Sequence, residues 1–301
     1  MRQQSVEQMI NHKFDHLSLA WEPEINAAWV KFSHSGRPCI TRGLLNDLTR
    51  VQHLIRDTAR QGYEYGAAER ICYQVLASGL PGVFNLGGDL ALFTRLIREG
   101  DQDGLFDYAK SCIDIIHAST TGYGLPITTI ALVQGEAQGG GFEAALSANV
   151  LIAEKGARFG FPETVFGLFP GMGAFSFLAR RVTPALAKRI IVSGKVYTAD
   201  ELYQLGIVDQ VVANGRGEES VRAFIRQRQS RVAGLQGLDR AINRFDPLSY
   251  EELIDVVSIW VETAMQLSEK NLRLMEYLLR AQGKRWNEPV AAVPEMLQAT
   301  A

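Results

Sequence analysis

Two glutamates stand where carboxylates are costly to keep. Glu143 is flanked by Phe142, Ala144, Ala145 and Leu146, and Glu163 lies within Phe159-Gly160-Phe161-Pro162-Glu163-Thr164. Apolar surroundings penalise the ionised form of a carboxyl group, raise its pKa and suit it to exchanging protons near neutral pH. Read alone, each glutamate is also compatible with a cap or a satisfied ion pair. Two glycine-rich segments accompany them, Val83-Phe84-Asn85-Leu86-Gly87-Gly88-Asp89-Leu90 and Gln134-Gly135-Glu136-Ala137-Gln138-Gly139-Gly140-Gly141-Phe142-Glu143. Each follows an apolar, strand-like run and sits where a helix begins. Glycine lets backbone N–H groups approach a ligand, and a helix start adds partial positive charge. Two amides converging on one point would make an oxyanion hole. Either segment alone also reads as an ordinary strand-to-helix turn.

Other catalytic sets are missing. The histidines, His12, His16, His34, His53 and His117, all fall outside the glycine-rich segments. There is no GxSxG elbow, no HExxH, no GxGxxG and no phosphate-loop GK[ST]. Cys112 and His117 are helical neighbours and read as packing. The cysteines, Cys39, Cys72 and Cys112, form no CxxC pair, so they read as reduced thiols of a cytoplasmic protein.

The elements that must hold these residues follow from periodicity. His16–Trp21 and Ala27–Phe32 read as strands joined by a turn at Glu22-Pro23-Glu24. Leu44, Leu45, Leu48, Val51, Leu54 and Ile55 repeat at helical spacing. Ile71–Ala77, Thr129–Val133 and Val150–Ala153 read as buried strands. Gly79 to Gly88 reads as a loop, with helices from about Asp89 and across Leu105, Tyr108, Cys112 and Ile116. Alternating strands and helices with short loops predict an α/β chain with parallel crossovers. From about Tyr250 to Gln282 the apolar residues form a helical stripe. The expected organisation is an N-terminal arm over 1–15, a core over 16–215 and a helical region over 216–301, with a loose end after about Asn287.

Composition sets the outer bounds. The chain has 301 residues, is 47% hydrophobic and 21% charged, and carries a net charge of −2. That size supports one large domain with a substantial core. The near-neutral balance gives no footprint for nucleic acid or an anionic membrane. No signal-peptide core and no apolar run of spanning length is present, so a cytoplasmic location is expected.

Taken together, the GGD turn, the GGGFE segment and the FPE segment resemble the crotonase (enoyl-CoA hydratase/isomerase) superfamily, from about residue 27 to the ADELYQLGIVDQVV stretch ending at Val212. The resemblance implies a crotonase fold, a spiral of ββα repeats with a C-terminal helical tail, and no cofactor or metal. It implies backbone donors at Gly88 and Gly140 and acid/base carboxylates at Glu143 and Glu163. Glu163 as base and Glu143 as acid is the expected assignment, with the reverse as the alternative.

Longer segments, Phe84–Asp101, Val133–Ala148, Pro162–Arg181 and Ile259–Gln282, resemble the diffusible signal factor synthases of bacterial quorum sensing, of the RpfF type. That resemblance implies a 3-hydroxyacyl substrate on acyl carrier protein. It is dehydrated to a cis-2-enoyl thioester and then hydrolysed to a free fatty acid. It also implies the receiver domain of a cognate sensor kinase as partner, and a homotrimer or dimer of trimers. By position, Leu86, Phe166, Phe169, Met172, Trp260 and Leu278 are candidates for an acyl channel, with core packing as the alternative for each. Phe175 and Phe177 read as core. Ala91 stands where many CoA-using relatives carry a lysine. This favours a carrier-protein substrate over a CoA-linked one, although Arg95 and Arg98 could meet a phosphate. An ordinary enoyl-CoA hydratase/isomerase of fatty-acid metabolism is the alternative function.

Overall fold

The computed structural model describes residues 9–33, 36–64 and 70–287. Most of the expected N-terminal arm and the stretch after Asn287 lie outside these residues. Strands are β1 (Leu17–Glu22), β2 (Ala27–Phe32), β3 (Tyr73–Ser78), β4 (Val83–Asn85), β5 (Thr128–Val133), β6 (Glu136–Gln138), β7 (Val150–Glu154), β8 (Arg158–Gly160), β9 (Tyr197–Thr198) and β10 (Gln210–Val212). Helices of the core are α1 (Arg42–Glu64), α2 (Leu90–Glu99), α3 (Gln102–Thr120), α4 (Gly140–Leu146), α5 (Ala174–Ala179), α6 (Pro184–Val192) and α7 (Ala199–Gln204). The helical region adds α8 (Gly217–Arg228), α9 (Val232–Phe245), α10 (Tyr250–Met265) and α11 (Glu269–Asn287).

Two sheets form. The larger runs β1-β2-β3-β5-β7-β10, and the smaller runs β4-β6-β8-β9. All pairings are parallel except β1 with β2 and β8 with β9. The chain therefore alternates: β3 in one sheet and β4 in the other, then helices; β5 and β6, then α4; β7 and β8, then α5 and α6. This is the ββα repeat of the crotonase fold. β5 is buried at every residue, as a central parallel strand with both faces covered must be. One face packs on Ile25, Trp29, Val75 and Ile130 with Val221 and Ile225 of α8. The other face meets the main core beneath α1, α3 and α4.

The smaller sheet was the part hidden in the sequence. β4 lies inside the stretch read as a loop from Gly79 to Gly88, and none of its strands exceeds three residues. Strands that short show too little alternation to be seen. The C-terminal stripe also differs from expectation. It is two helices, broken between Met265 and Glu269, where Ser268 Oγ accepts from Asn271 N–H. α10 packs on α3 and α11 on α2. Of the two phenylalanines read as core, Phe177 is buried, but Phe175 is 47% exposed. They are two positions apart on a short helix, so they point to different faces.

Phe142 anchors α4 against the smaller sheet. It is fully buried, stacks on Phe161 with ring centroids 4.9 Å apart, and meets Phe159 at 5.0 Å. Phe142→Ala should cost about 3–5 kcal/mol. Urea unfolding measures this, and a loss below about 1 kcal/mol would show that α4 is not held there.

Candidate active site

β4 and β6 run parallel, and each delivers its chain to a helix start at the same end of the smaller sheet. After β4 the chain turns at Gly87, whose φ is +92°, a conformation that favours glycine. A β-carbon on Gly87 would stand 2.8 Å from the Gln138 carbonyl oxygen and 3.1 Å from Gly140 N. One placed on Gly140 would stand 3.5 Å from Gly88 N. The two turns therefore touch, and the Gly88 and Gly140 amides lie side by side. Neither N–H donates to a protein oxygen among the described residues. Asp89 then caps α2, its Oδ1 accepting from Leu92 N–H at 3.2 Å.

Glu143 lies on the first turns of α4 and is 1% exposed. Its Oε1 accepts from the N–H groups of Met172 and Ala174, at 2.7 and 3.0 Å. It therefore also serves as a cap for the segment entering α5. Glu163 leaves β8 after Pro162 and faces the second turn from across the cavity. Its Oε1 rests against Gly139, 2.1 Å from where a β-carbon would sit. Only glycine at 139 leaves room for that carboxylate. Glu163 is partly accessible as a residue, yet its Oε2 is sealed and has no partner among the described residues.

Both carboxyls titrate high. Burial pushes Glu163 up to about 7. Burial, then the charge of Glu163, holds Glu143 well above the usual carboxylate range, against the pull of the Met172 and Ala174 amides. Two nearby buried carboxylates resist ionising together.

One cavity collects most of the sequence-predicted residues. Leu86, Gly88, Gly140, Glu143, Glu163, Phe166, Met172, Trp260 and Leu278 all line it. Phe169 does not; it is half-buried against the core. The sequence reading missed Leu90, Phe93, Tyr108, Leu168 and Gln282, which also face the cavity. Its spacing places Tyr108 on a helix, but nothing local distinguishes a cavity-facing tyrosine from a core one. Its hydroxyl donates to the Ile40 carbonyl at 2.5 Å and accepts from Asp89 N–H at 3.3 Å. Trp260 meets Phe93 edge-on at 5.2 Å, and Gly171 packs so close to the indole that a β-carbon would lie 2.3 Å from its Cγ.

The two arginines that could meet a phosphate are both ion-paired at the surface. Arg98 pairs with Glu269 at 2.7 Å and Glu276 at 2.6 Å, tying α11 to α2, and Arg95 pairs with Glu99 at 2.9 Å. Cys112 is fully buried, which pushes its thiol up, and His117 meets Tyr250 edge-on instead. Among the described residues no three His, Cys, Asp or Glu side chains group as a metal site, and no helix is long and apolar enough to cross a membrane.

The family profile described as enoyl-CoA hydratase/isomerase matches residues 64–244, more than half of the chain. The protein belongs to the enoyl-CoA hydratase/isomerase family, within the crotonase superfamily. Over 163 residues it is 31% identical to a peroxisomal bifunctional enzyme of Cavia porcellus, covering 54% of this chain and 21% of that protein. The chain thus spans about a fifth of the length of that relative. Among solved structures, an enoyl-CoA hydratase from Bacillus halodurans aligns with a TM-score of 0.72 at 19% identity, over 87% of this chain and 100% of that one. An enoyl-CoA hydratase/isomerase from Xanthobacter autotrophicus Py2 aligns at 0.72 and 18%, over 91% and 96%. These likenesses establish the fold.

The raised carboxyl pKa values carry a cost in stability. An ordinary glutamate ionises near 4.5, whereas folded Glu163 keeps its proton to about 7. The folded state therefore binds more protons in that window, and stability falls as pH rises through it. Glu163→Gln should change stability little at pH 4.5 and raise it at pH 8, on the order of 3 kcal/mol. Urea unfolding at the two pH values measures this, and a gain that does not grow with pH would contradict it.

Proposed function

We propose that this protein is a diffusible signal factor synthase. It dehydrates a 3-hydroxyacyl thioester carried by acyl carrier protein to the cis-2-enoyl thioester, then hydrolyses it to the free fatty acid. The observation that carries this reading is the cavity's makeup. Beyond the two glutamates it is walled by Phe93, Phe166, Leu168 and Met172 and is closed by Trp260 of α10 and Leu278 of α11. An apolar chamber built in part by the C-terminal helices suits a medium-length acyl tail. Its adaptable methionine and broad indole supply surface for such a tail.

The chemistry follows from the geometry. The thioester oxygen sits between the Gly88 and Gly140 N–H groups, which stabilise the negative charge that grows as the α-proton leaves. Each such donor is worth about 3 kcal/mol. Glu163 takes the α-proton. Glu143 gives its proton to the 3-hydroxyl, which departs as water, and the C2–C3 double bond forms. The carboxylate left at Glu143 then takes a proton from an incoming water that attacks the thioester carbon. The same amides hold the tetrahedral oxyanion, and Glu163 returns its proton to the departing thiol. Both glutamates end in their starting states.

A carrier protein is favoured over free CoA by the cations after the GGD turn. Ala91 supplies none, and both Arg95 and Arg98 are ion-paired. The family's own name favours the second reading, an ordinary enoyl-CoA hydratase/isomerase using the same glutamates. A receiver domain of a sensor kinase as partner, a homotrimer or pair of trimers, and a cytoplasmic location belong to the first reading.

The deciding experiment is mass-spectrometric product analysis with 3-hydroxydodecanoyl carrier protein. Wild type should release a cis-2-enoic acid, and Glu143→Ala or Glu163→Ala should lower the rate by at least about a hundredfold. A trans thioester, or turnover of the CoA substrate alone, would select the hydratase.

A further inference from the structure

We infer that the Asn85 side chain is a positioning residue: its carboxamide aims the Gly88 amide at the thioester oxygen. This rests on reading Gly88 as one of the two oxyanion donors. Asn85 ends β4 and is fully buried. Its Oδ1 accepts from Gly87 N–H at 2.8 Å, an Asx turn drawn inside the protein. On the far side of the same glycine, the Gly87 carbonyl accepts from Ile40 N–H at 2.8 Å. Both peptide planes flanking Gly87 are therefore pinned, one by Asn85 and one by Ile40.

The second plane decides catalysis. In a trans peptide the carbonyl and the following N–H point in opposite directions. With the Gly87 carbonyl turned to Ile40, the Gly88 N–H is turned away from it, toward the cavity that Gly88 lines. Glycine at 87 resists rotation least of all residues. The hold of Asn85 on its N–H therefore works together with the hold of Ile40 on its carbonyl: with the first plane fixed, the Ile40 bond sets the direction of the second. Without an acceptor at 85, that N–H would be buried and unpaired, and the turn would gain by rotating to satisfy it. Asn85 also meets the second turn through its backbone: a β-carbon on Gly141 would lie 2.2 Å from the Asn85 carbonyl oxygen. A shift of the first turn would therefore be felt at the second.

A bound chromophore reads the two amide donors directly, and turnover is measured beside it. A 2,4-hexadienoyl pantetheine thioester should absorb at longer wavelength when its carbonyl is polarised by the two amides. Wild type should show that shift. Asn85→Ala should lose at least about half of it and about tenfold in kcat, with Kd changed less than about threefold. Asn85→Ser, whose hydroxyl offers a shorter acceptor, should fall between. If Asn85→Ala does not fold, Asn85→Ser decides alone. The full wild-type shift and rate in either folded variant overturn the inference, as does a parallel loss of shift and affinity. A wild type with no shift overturns the oxyanion hole and this inference together. A wild type with the shift but no cis-2-enoic acid overturns the synthase reading only.

Discussion

The site depends on backbone reaching backbone. Turns 85–88 and 139–141 meet so closely that a β-carbon on Gly87, Gly140 or Gly141 would press on main chain of the facing turn or on the side chains wedged beside it. Parallel pairing of β4 with β6 brings the two turns to one end of one sheet. Their glycines then allow the last few ångströms of approach. From that contact come two neighbouring amides without protein acceptors among the described residues, and the space at Gly139 into which the Glu163 carboxylate fits.

The same arrangement explains why both glutamates titrate high. α4 begins at the second turn and carries Glu143 into the core within one turn of helix, where two amides from the 172–174 segment hold one oxygen. Glu163 arrives from the next ββ unit, behind Pro162. Burial raises both carboxyls, and the charge of one raises the other. The fold thereby sacrifices stability as pH rises above 4.5, where an ordinary glutamate would already be ionised. Carboxyls that titrate this high suit the acid/base work proposed for them. α10 and α11 complete the enclosure, with Trp260 and Leu278 facing the cavity and Arg98 tying α11 to α2.

Much of this was legible in the sequence. Long buried strands such as β5 and long amphipathic helices such as α1 announce themselves by period. The glutamates stood out by their apolar flanks, and the glycine turns by composition, although it was the combination that carried the family resemblance. The second sheet was not visible, because its strands have two or three residues each. Nor was the use of Arg98, since its partners Glu269 and Glu276 lie far along the chain. Phe169 and Phe166 share one short segment, and only the turn at Gly167, with φ of +82°, sends one to the cavity and the other away. Asn85 gave no signal at all: its role is a hydrogen bond to a backbone N–H two residues on.

The division of labour between the two carboxylates is tested most directly by deuterium uptake at the α-carbon of a saturated acyl-pantetheine thioester in heavy water. This step needs a base and the oxyanion donors but no leaving hydroxyl. Wild type and Glu143→Gln should incorporate deuterium, and Glu163→Gln should not. Uptake by Glu163→Gln at the wild-type rate, with Glu143→Gln silent, would reverse the assignment and contradict the claim that Glu163 is the base.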